Sequence, residues 1–303
     1  MEKLFLMGAP RSGTTYVQLV IAQHPAIVTC NETHVFDGYL ESMFAHWRGH
    51  LRDPRAIGLS ACMDSEDFRA LVRDQAELLF EQMLAAQPTD GCKLFLEKTP
   101  AHVLNWRNIV DVYPDARFIH LVRDPRGVVA SLRRAGRGWG SHWAKPGILS
   151  NANRWRRYVT SGLEAEAVLG ERCRRLSYET VLRSPADMLG QVYQWLGLPQ
   201  QGLDLEGMAA QCRPEQLKTG DAASPWNTGA EPEGFFGGRG AKGWENDLSR
   251  FQTAQVELVA GQLLDTLGYG RVTSPGLRAR MVNGVYNQVA SLEWRLGQLR
   301  SGM

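Results

Sequence analysis

The order of apolar and polar positions along the chain predicts alternating strands and helices. Short apolar runs of strand length lie at residues 3–7, 27–30, 94–97, 117–122 and 173–177. Longer segments between them repeat their apolar residues at helical spacing, and we predict helices over 14–23, 36–47, 65–86, 100–112, 126–134, 151–169, 185–196 and 251–267. Strands that alternate with helices are typical of a parallel sheet. We therefore predict an α/β fold of three layers, with helices on both faces of the sheet and helical insertions.

A glycine-rich turn, GAPRSGTT at residues 8–15, joins the first strand to the first helix. Backbone N–H groups converge at such a turn, and the helix dipole adds positive potential, so the turn is suited to bind an anion. The spacing nearly matches the phosphate loop of nucleoside triphosphatases, except that Thr14 stands where those proteins have lysine. We therefore predict a P-loop-like sheet whose loop grips one phosphate-like group rather than a magnesium-bound triphosphate.

Charged residues follow the second and third predicted strands, at the ends where open α/β sheets bind ligands. Glu32 and His34 come after residues 27–30, and a carboxylate and an imidazole there are candidates for proton transfer. In the alternative interpretation, Asn31 or Thr33 caps a helix and Glu32 is merely solvated. Lys98 follows the third strand and points either into the same cleft or, alternatively, to solvent.

The fourth strand, 117–122, is followed by Arg123 and by a helix that carries Ser131. A guanidinium and a hydroxyl can share one phosphate through charge-assisted hydrogen bonds. This segment is therefore a second candidate anion site. Two such sites on one sheet indicate a ligand with two separated phosphate groups.

Composition excludes several other classes. A net charge of +2 does not favour a nucleic-acid-binding protein, and 44% apolar residues are ordinary for a globular chain of 303 residues. No apolar run reaches the ~20 residues of a membrane span. The first strand begins at residue 3, which leaves no room for a signal peptide. Five scattered cysteines without a CxxC pair indicate reduced thiols in a cytoplasmic protein, with neither a disulfide frame nor a zinc site.

The pairing of PRSGTT at residues 10–15 with RDPxxxxxS at residues 123–131 resembles the sulfotransferases. The segment EKTPAHVLNW…YPDARFIHLVRDPRGVVASL is similar to the bacterial and tyrosylprotein-type branch of that family. The resemblance covers about residues 3–250 and implies the cofactor 3′-phosphoadenosine 5′-phosphosulfate (PAPS), which leaves as 3′-phosphoadenosine 5′-phosphate (PAP). It implies no metal.

The resemblance assigns cofactor contacts residue by residue. The first loop would hold the 5′-phosphosulfate, and the second segment would hold the 3′-phosphate. Leu176–Glu179 resembles an element whose tyrosine lies near the adenine, and GRGAKGWEN at 238–246 resembles, with shortened spacing, a late loop that closes over the 3′-phosphate. The implied cofactor-binding residues are Arg11, Ser12, Gly13, Thr14, Thr15, Arg123, Ser131, Tyr178 and either Arg239 or Lys242.

The resemblance also implies catalytic roles. Glu32-Thr33 matches the E-T-R element whose glutamate is the base in tyrosylprotein sulfotransferases, but His34 replaces the arginine that touches the acidic peptide. This difference disfavours peptide tyrosine as the acceptor. Small-molecule sulfotransferases use a histidine base, so His34 or His102 is the alternative base. Lys98 matches the lysine placed against the transferring sulfonate, and Arg11 would share in stabilising charge there.

Two later segments complete the predicted site. Residues 135–149 are glycine-rich and carry Trp139 and Trp143, which would form a lip over the acceptor, or alternatively a surface loop with packed indoles. With His34 and His102, these tryptophans are the predicted acceptor-binding residues. Residues 212–248 would form a lid. A last helix at about 276–299 would pack on the body, whose core ends near 270, or on a second copy in a homodimer.

We therefore predict one sulfotransferase domain over residues 1–303 that moves a sulfonyl group from PAPS to a hydroxyl of a small-molecule, carbohydrate or lipid acceptor. Glu32 would take the acceptor proton. A small-molecule kinase is the first alternative, because the first loop resembles a phosphate loop. A binder of 3′,5′-bisphosphorylated nucleotides without catalytic activity is the second.

Overall fold

The computed structural model describes residues 1–51, 55, 57–144, 147–212 and 240–288. Contacts divide the chain into two compact units. The first unit comprises Met1–Val122 and Tyr158–Gly238, and the second comprises Arg123–Arg157 and Arg239–Met303. The single domain over residues 1–303 stays a prediction.

The first unit contains a five-stranded, wholly parallel sheet in the order β2-β3-β1-β4-β5. The strand that precedes the glycine-rich turn therefore lies at the centre, between β3 and β4. All five strands lie within one residue of the predicted limits: β1 Glu2–Gly8, β2 Ile27–Thr29, β3 Leu94–Lys98, β4 Arg117–Val122 and β5 Cys173–Ser177.

The helices follow in chain order as α1 Thr14–Ile21, α2 Glu41–His50, α3 Ser65–Leu84, α4 Trp106–Val112, α5 Pro125–Gly136, α6 Ile148–Leu169, α7 Tyr178–Arg183, α8 Pro185–Leu196, α9 Leu205–Gln211, α10 Arg250–Ala260 and α11 Gln262–Thr266. Residues 277–288 are also helical. The remainder of the predicted last helix, from 289 onward, lies outside the described residues.

Alternate residues of the strands face opposite layers of the first unit, as the pleat of a strand requires. Phe5 and Met7 pack with aromatic and aliphatic residues of α2, α3 and α4. Leu4 and Leu6 pack on the other face with residues of α1, α8 and α9. The predicted three-layer α/β fold is confirmed.

The second unit has its own small core. Val129 and Ala130 of α5 pack with Val256 and Val259 of α10 and with Trp244. This core fixes α5, the helix that carries the second candidate anion site.

Two predicted helices are broken in the structure. The helix predicted over 36–47 is divided in two. Val35–Tyr39 form a single π-helical turn, and α2 begins at Glu41. Residues 100–112 form a 3₁₀ turn, Pro100–Leu104, followed by α4. The first of these breaks matters for the site, because it changes the direction of the chain directly after Glu32 and His34.

No helix in the described ranges is long and apolar enough to cross a membrane. All five cysteines are free thiols. Within the same ranges, no cluster of three or more His, Cys, Asp or Glu side chains is arranged to hold a metal ion.

Candidate active site

The glycine-rich turn between β1 and α1 is tight and is the candidate anion cradle. Gly13 has a φ of 97°, and a Cβ there would overlap the ring of Tyr178 at the start of α7. Ser12 is buried, and its Oγ has no hydrogen-bond partner among the described residues. An unsatisfied buried hydroxyl is costly unless a ligand or water completes its hydrogen bond. The turn therefore has both the shape and an open hydrogen-bonding position for a phosphate-like group.

Glu32 and Lys98 meet at the carboxyl ends of neighbouring strands β2 and β3. Lys98 Nζ lies 2.5 Å from Glu32 Oε1 and 3.3 Å from Thr15 Oγ1 of the first turn of α1. The Lys98 side chain is 4% exposed, whereas that of Glu32 is 37% exposed. A buried lysine therefore connects a solvent-accessible carboxylate to the glycine-rich turn.

The charges around Glu32 keep it ionised. Burial opposes ionisation, but Lys98, and after it His34, outweigh burial and lower the pKa of Glu32 to about 2. Glu32 is a carboxylate at neutral pH and can accept a proton. Its basicity depends mainly on whether Lys98 remains beside it.

His34 lies between two carboxylates. Its Nδ1 is 3.0 Å from Asp37 Oδ2, and its Nε2 is 3.5 Å from Glu32 Oε2. Hydrogen bonds to Asp37 and then Glu32 raise the pKa of His34 to about 10, against the opposing effect of burial. The half-exposed imidazole is therefore a cation at neutral pH.

A buried carboxylate, Glu97, holds this region together. It accepts hydrogen bonds from Thr33 Oγ1 at 2.8 Å and Thr99 Oγ1 at 2.7 Å, and it lies 2.8 Å from His102 Nδ1. His102 is fully buried, with its Nε2 3.2 Å from Asp37 Oδ1. Glu97 thus ties the loop after β2 to the end of β3, which brings Glu32 to Lys98.

In the second unit, Arg123 lies two residues before α5 and Ser131 lies within that helix. Asp124 caps α5, accepting from Arg126 N at 2.8 Å. The Arg123 guanidinium lies close over Gly127, where a Cβ would be only 3.0 Å from its Nε. Trp155 Nε1 donates to the Arg123 carbonyl at 3.0 Å. These contacts fix the backbone and the side-chain direction of Arg123 at the helix N-terminus.

Arg126 connects the parts of the second unit. It pairs with Asp124 at 2.7 Å and Glu257 at 2.9 Å, and its guanidinium lies 4.4 Å from the ring centroid of Trp244. Trp244 belongs to the GRGAKGWEN segment, so this anchor holds the end of the predicted late loop. Lys242 is exposed just before the short turn Gly243–Asn246. Arg239 lies outside the described residues.

Trp139 and Trp143 form a partly exposed aromatic pair, also in the second unit. Their ring centroids are 5.7 Å apart at an interplanar angle of 54°. Gly140 permits this approach, because a Cβ there would lie 3.2 Å from the Trp143 ring. The pair offers aromatic surface suited to an apolar or sugar ligand.

The sulfotransferase family model matches residues 3–202, which is more than half of the chain and spans all five strands. The chain belongs to the sulfotransferase family. It is therefore an enzyme of sulfonyl transfer, and the resemblance of PRSGTT and RDPxxxxxS to that family is confirmed. The kinase alternative is thereby superseded.

Curated relatives of this sulfotransferase come from bacteria and animals. Nodulation protein NoeE of Sinorhizobium fredii is 25% identical over 319 residues, which cover 96% of this chain and 73% of NoeE. A protein-tyrosine sulfotransferase of Drosophila melanogaster is 22% identical over 208 residues, which cover 66% of this chain and 38% of the fly protein. The chain thus corresponds to less than half of the fly enzyme.

Solved structures share the fold. The sulfotransferase domain of the Synechococcus PCC 7002 olefin synthase matches with a TM-score of 0.56 and 19% identity over 89% of this chain and 95% of that domain. Mouse sulfotransferase SULT7A1, complexed with PAP, matches with a TM-score of 0.58 and 15% identity over 87% of this chain and 85% of that protein. At sequence identities of 15–19%, these similarities show a shared fold and no more.

The structure of this sulfotransferase brings together the predicted residues of the first unit: Thr15, Glu32, His34 and Lys98 lie in one chain of contacts. Sequence reasoning missed Asp37 and Glu97. The only signal in the sequence was that Asp37 lies close to His34, and Glu97 close to Lys98, along the chain. The sequence does not distinguish an acidic residue that becomes buried from one that stays exposed. His102, which we predicted to contact the acceptor, has no exposed surface; this burial favours a supporting role.

Proposed function

We propose that this sulfotransferase moves the sulfonyl group of PAPS to a hydroxyl of a small-molecule, carbohydrate or lipid acceptor, with Glu32 as general base. The observation that carries the proposal is the Glu32–Lys98–Thr15 chain of contacts beside the glycine-rich turn. A proton acceptor, a buried cation and an anion cradle are the three groups that sulfonyl transfer needs.

The residues present fit the cofactor. The buried Ser12 hydroxyl without a partner among the described residues supports a phosphate-like ligand at the turn. In our proposal Arg11, Ser12, Gly13, Thr14 and Thr15 bind the 5′-phosphosulfate and Tyr178 lies against the adenine. Arg123 and Ser131 would bind the 3′-phosphate, with help from Arg239 or Lys242. When bound, PAPS supplies the sulfonyl group and leaves as PAP.

The protein groups then act as follows. Glu32 accepts the proton of the acceptor hydroxyl, which makes the oxygen a better nucleophile. Lys98, Arg11 and the N–H groups at the start of α1 stabilise the negative charge that grows on the cofactor side. These positive groups are fixed before the reaction, so little reorganisation is needed, and the proposal requires no metal ion.

The acceptor is proposed only as a class. Peptide tyrosine is disfavoured because His34 replaces the arginine of the E-T-R element. Trp139 and Trp143 support an acceptor with an apolar or sugar face, since indole rings bind both. Glu32 supports an acceptor alcohol, which does not ionise unaided at neutral pH.

The donor is tested by offering the purified enzyme PAPS with labelled sulfur or ATP with labelled γ-phosphate, each with pooled hydroxyl acceptors. We expect transfer of labelled sulfur only, also in the presence of a chelator. Transfer of phosphate that stops with EDTA and returns with Mg²⁺ would instead indicate a kinase.

Replacing Arg123 by alanine tests the 3′-phosphate site. A charge-assisted hydrogen bond contributes about 1.5–3 kcal/mol, so we expect PAP affinity to fall by about tenfold or more. Affinity for adenosine 5′-phosphate, which lacks the 3′-phosphate, should barely change. Titration calorimetry with both nucleotides gives the comparison, and Arg137→Ala, an exposed arginine at the end of α5, is the control. Equal losses for both nucleotides would remove Arg123 from the 3′-phosphate site.

Replacing Gly13 by alanine tests the cradle. The new Cβ would meet the Tyr178 ring in a backbone conformation with φ of 97°, so the turn must distort. We expect PAP affinity to fall by about tenfold or more, in line with the loss of one charge-assisted contact. Gly197→Ala is a matched control, because Gly197 has a φ of 70° but open space around its Cβ position. Equal PAP affinity in the two variants would show that the turn does not bind the nucleotide.

A further inference from the structure

The backbone at His34 is strained and firmly held. Among the described residues, His34 and Arg11 are the two non-glycine residues with positive φ, at 51° and 69°. Thr99 Oγ1 accepts from the N–H groups of Thr33 at 3.1 Å and His34 at 3.3 Å. Strain of this kind persists only where surrounding contacts enforce it, and it concentrates at functional sites.

A single π-helical turn, Val35–Tyr39, then folds the chain back over His34. Gly38 N donates to the His34 carbonyl at 2.7 Å, and a Cβ on Gly38 would lie 3.3 Å from His34 Cβ. The turn brings Asp37 to the Nδ1 side of the His34 ring. Insertions of a π turn are frequently found at functional sites.

The two nitrogens of His34 consequently face two carboxylates, Asp37 at Nδ1 and Glu32 at Nε2. A neutral imidazole has one N–H group, so it would turn a lone pair toward one of these carboxylates. An imidazolium can donate from Nδ1 to Asp37 at 3.0 Å and present its second N–H group to Glu32 in an ion pair at 3.5 Å. The geometry therefore requires the charged form of His34 if both contacts are to be kept.

We propose that Asp37 is a positioning residue that holds His34 as an imidazolium, so that His34 orients the Glu32 carboxylate for proton transfer. The inference rests on the proposed function of Glu32 as base. It assigns His34 a task in aiming the base, separate from contact with the acceptor.

The need for such a support follows from the two tasks of Lys98. In the proposed reaction Lys98 stabilises charge on the sulfonate side, and while it does so its contact with Glu32 weakens. Among the described residues, His34 is the other charged group paired with Glu32. A carboxylate held on one side by an imidazolium keeps its direction through this change, which proton transfer requires.

The charged groups around this pair agree with the inference. Asp37 also faces His102 Nε2 at 3.2 Å, and His102 in turn faces Glu97 at 2.8 Å; Lys98 faces Glu32. Burial raises the pKa of Asp37, but His102 and then His34 outweigh it and keep the pKa well below its usual range. Asp37 is therefore an anion and favours the proton on His34. The imidazolium form of His34 therefore predominates at neutral pH and is lost as the pH rises through the raised pKa of about 10.

The test is Asp37→Asn, which keeps shape but removes the charge. The pKa of His34 should then fall toward the ordinary value of about 6.5, so His34 loses its proton as the pH passes through the neutral range. We expect kcat at about pH 9 to fall by about tenfold or more relative to the wild type, the loss typical of a charge-assisted contact, with little change near pH 6. PAP affinity should stay the same at both pH values.

Two further measurements separate positioning from a structural effect. NMR titration of the histidine signals, with His34 assigned through His34→Gln, should show that Asp37→Asn lowers the midpoint of His34 by more than about one pH unit, well outside the error of such titrations. In a His34→Arg background the charge cannot be lost, so Asp37→Asn should no longer alter the pH profile. A pH effect that persists there would assign it to His102 and overturn the inference.

The outcomes distinguish this inference from the proposed function. A wild-type enzyme that transfers no sulfonyl group refutes the proposed function, whereas the NMR titration still reports whether Asp37 holds the proton on His34. An active Asp37→Asn enzyme with the wild-type pH profile refutes the positioning role alone. If Asp37→Asn does not fold, His34→Gln replaces it and should lower kcat at all pH values without changing PAP affinity; an unchanged kcat would overturn the inference.

Discussion

Glu32→Gln should lower the rate of transfer to an alcohol or sugar acceptor by about 10²–10⁴-fold, the usual contribution of general-base catalysis. Glutamine keeps the size of the side chain and can still accept a hydrogen bond from Lys98, but it cannot take a proton. PAP affinity should be unchanged, because the proposal assigns Glu32 to the acceptor hydroxyl and not to the nucleotide. Steady-state kinetics with calorimetric PAP binding measure both.

His34→Ala is the comparison for this variant. If His34 only orients Glu32, its loss should cost much less than the loss of Glu32. The reverse ranking would transfer the role of base to His34. The acceptor must be an alcohol or sugar, since an acidic phenol ionises without help and would mask the effect.

Lys98→Met should lower kcat by about 10²–10³-fold, the range found when one preorganised donor to a developing charge is removed. A second effect is expected on pH dependence. Lys98 is the main influence that lowers the pKa of Glu32, so without it the pKa rises from about 2 toward the ordinary value. Because Glu32 must be ionised to act, the acid limb of kcat/KM should move to higher pH.

Lys93→Met is the matched control, an exposed lysine immediately before the same strand β3. It should leave both the rate and the pH profile unchanged. If Lys98→Met lowered the rate while the acid limb stayed in place, the Glu32–Lys98 contact would not govern the basicity of Glu32.

The strands could be predicted from the sequence, because a short apolar run between turn residues is too short for a helix and fits a buried strand. Helix faces were less predictable. Helical spacing over 65–86 predicts an apolar side made of Phe68, Leu71, Val72, Leu78, Leu79 and Met83, but Leu78 and Met83 are 51% and 37% exposed. The buried residues recur every four positions instead: Phe68, Val72, Ala76, Phe80 and Leu84.

The aromatic stripe after His34 shows a second limit. Helical spacing over 36–47 predicts a buried aromatic stripe of Phe36, Tyr39, Phe44 and Trp47. Three of these residues are buried, but Tyr39 is 63% exposed. The π-helical turn at Val35–Tyr39 rotates Tyr39 outward, and helical periodicity cannot predict such a turn. The same turn delivers Asp37 to His34, which is why Asp37 was not among the predicted site residues.

Charged residues at strand ends were the most informative part of the sequence. Glu32 follows β2 and Lys98 is the last residue of β3, which is the neighbour of β2 in the sheet; Lys98 Nζ and Glu32 Oε1 lie 2.5 Å apart. Glu97, one residue before Lys98, points the other way into the interior because side chains alternate along a strand. Its partners Thr33 and Thr99 are polar residues that could equally have been helix caps, so the sequence alone did not mark Glu97 as the anchor.

The most direct test of sulfonyl transfer follows the sulfur atom. The wild-type enzyme and Glu32→Gln are each incubated with sulfur-labelled PAPS and pooled alcohol, sugar and lipid acceptors, and labelled products are identified by mass. We expect the wild type to place the label on an acceptor hydroxyl and release an equal amount of PAP, and Glu32→Gln to bind PAP but form product about 10²–10⁴-fold more slowly. A wild-type enzyme that binds PAP yet labels no acceptor would contradict the proposed sulfonyl transfer. A Glu32→Gln enzyme as fast as the wild type would contradict the proposed role of Glu32 as general base.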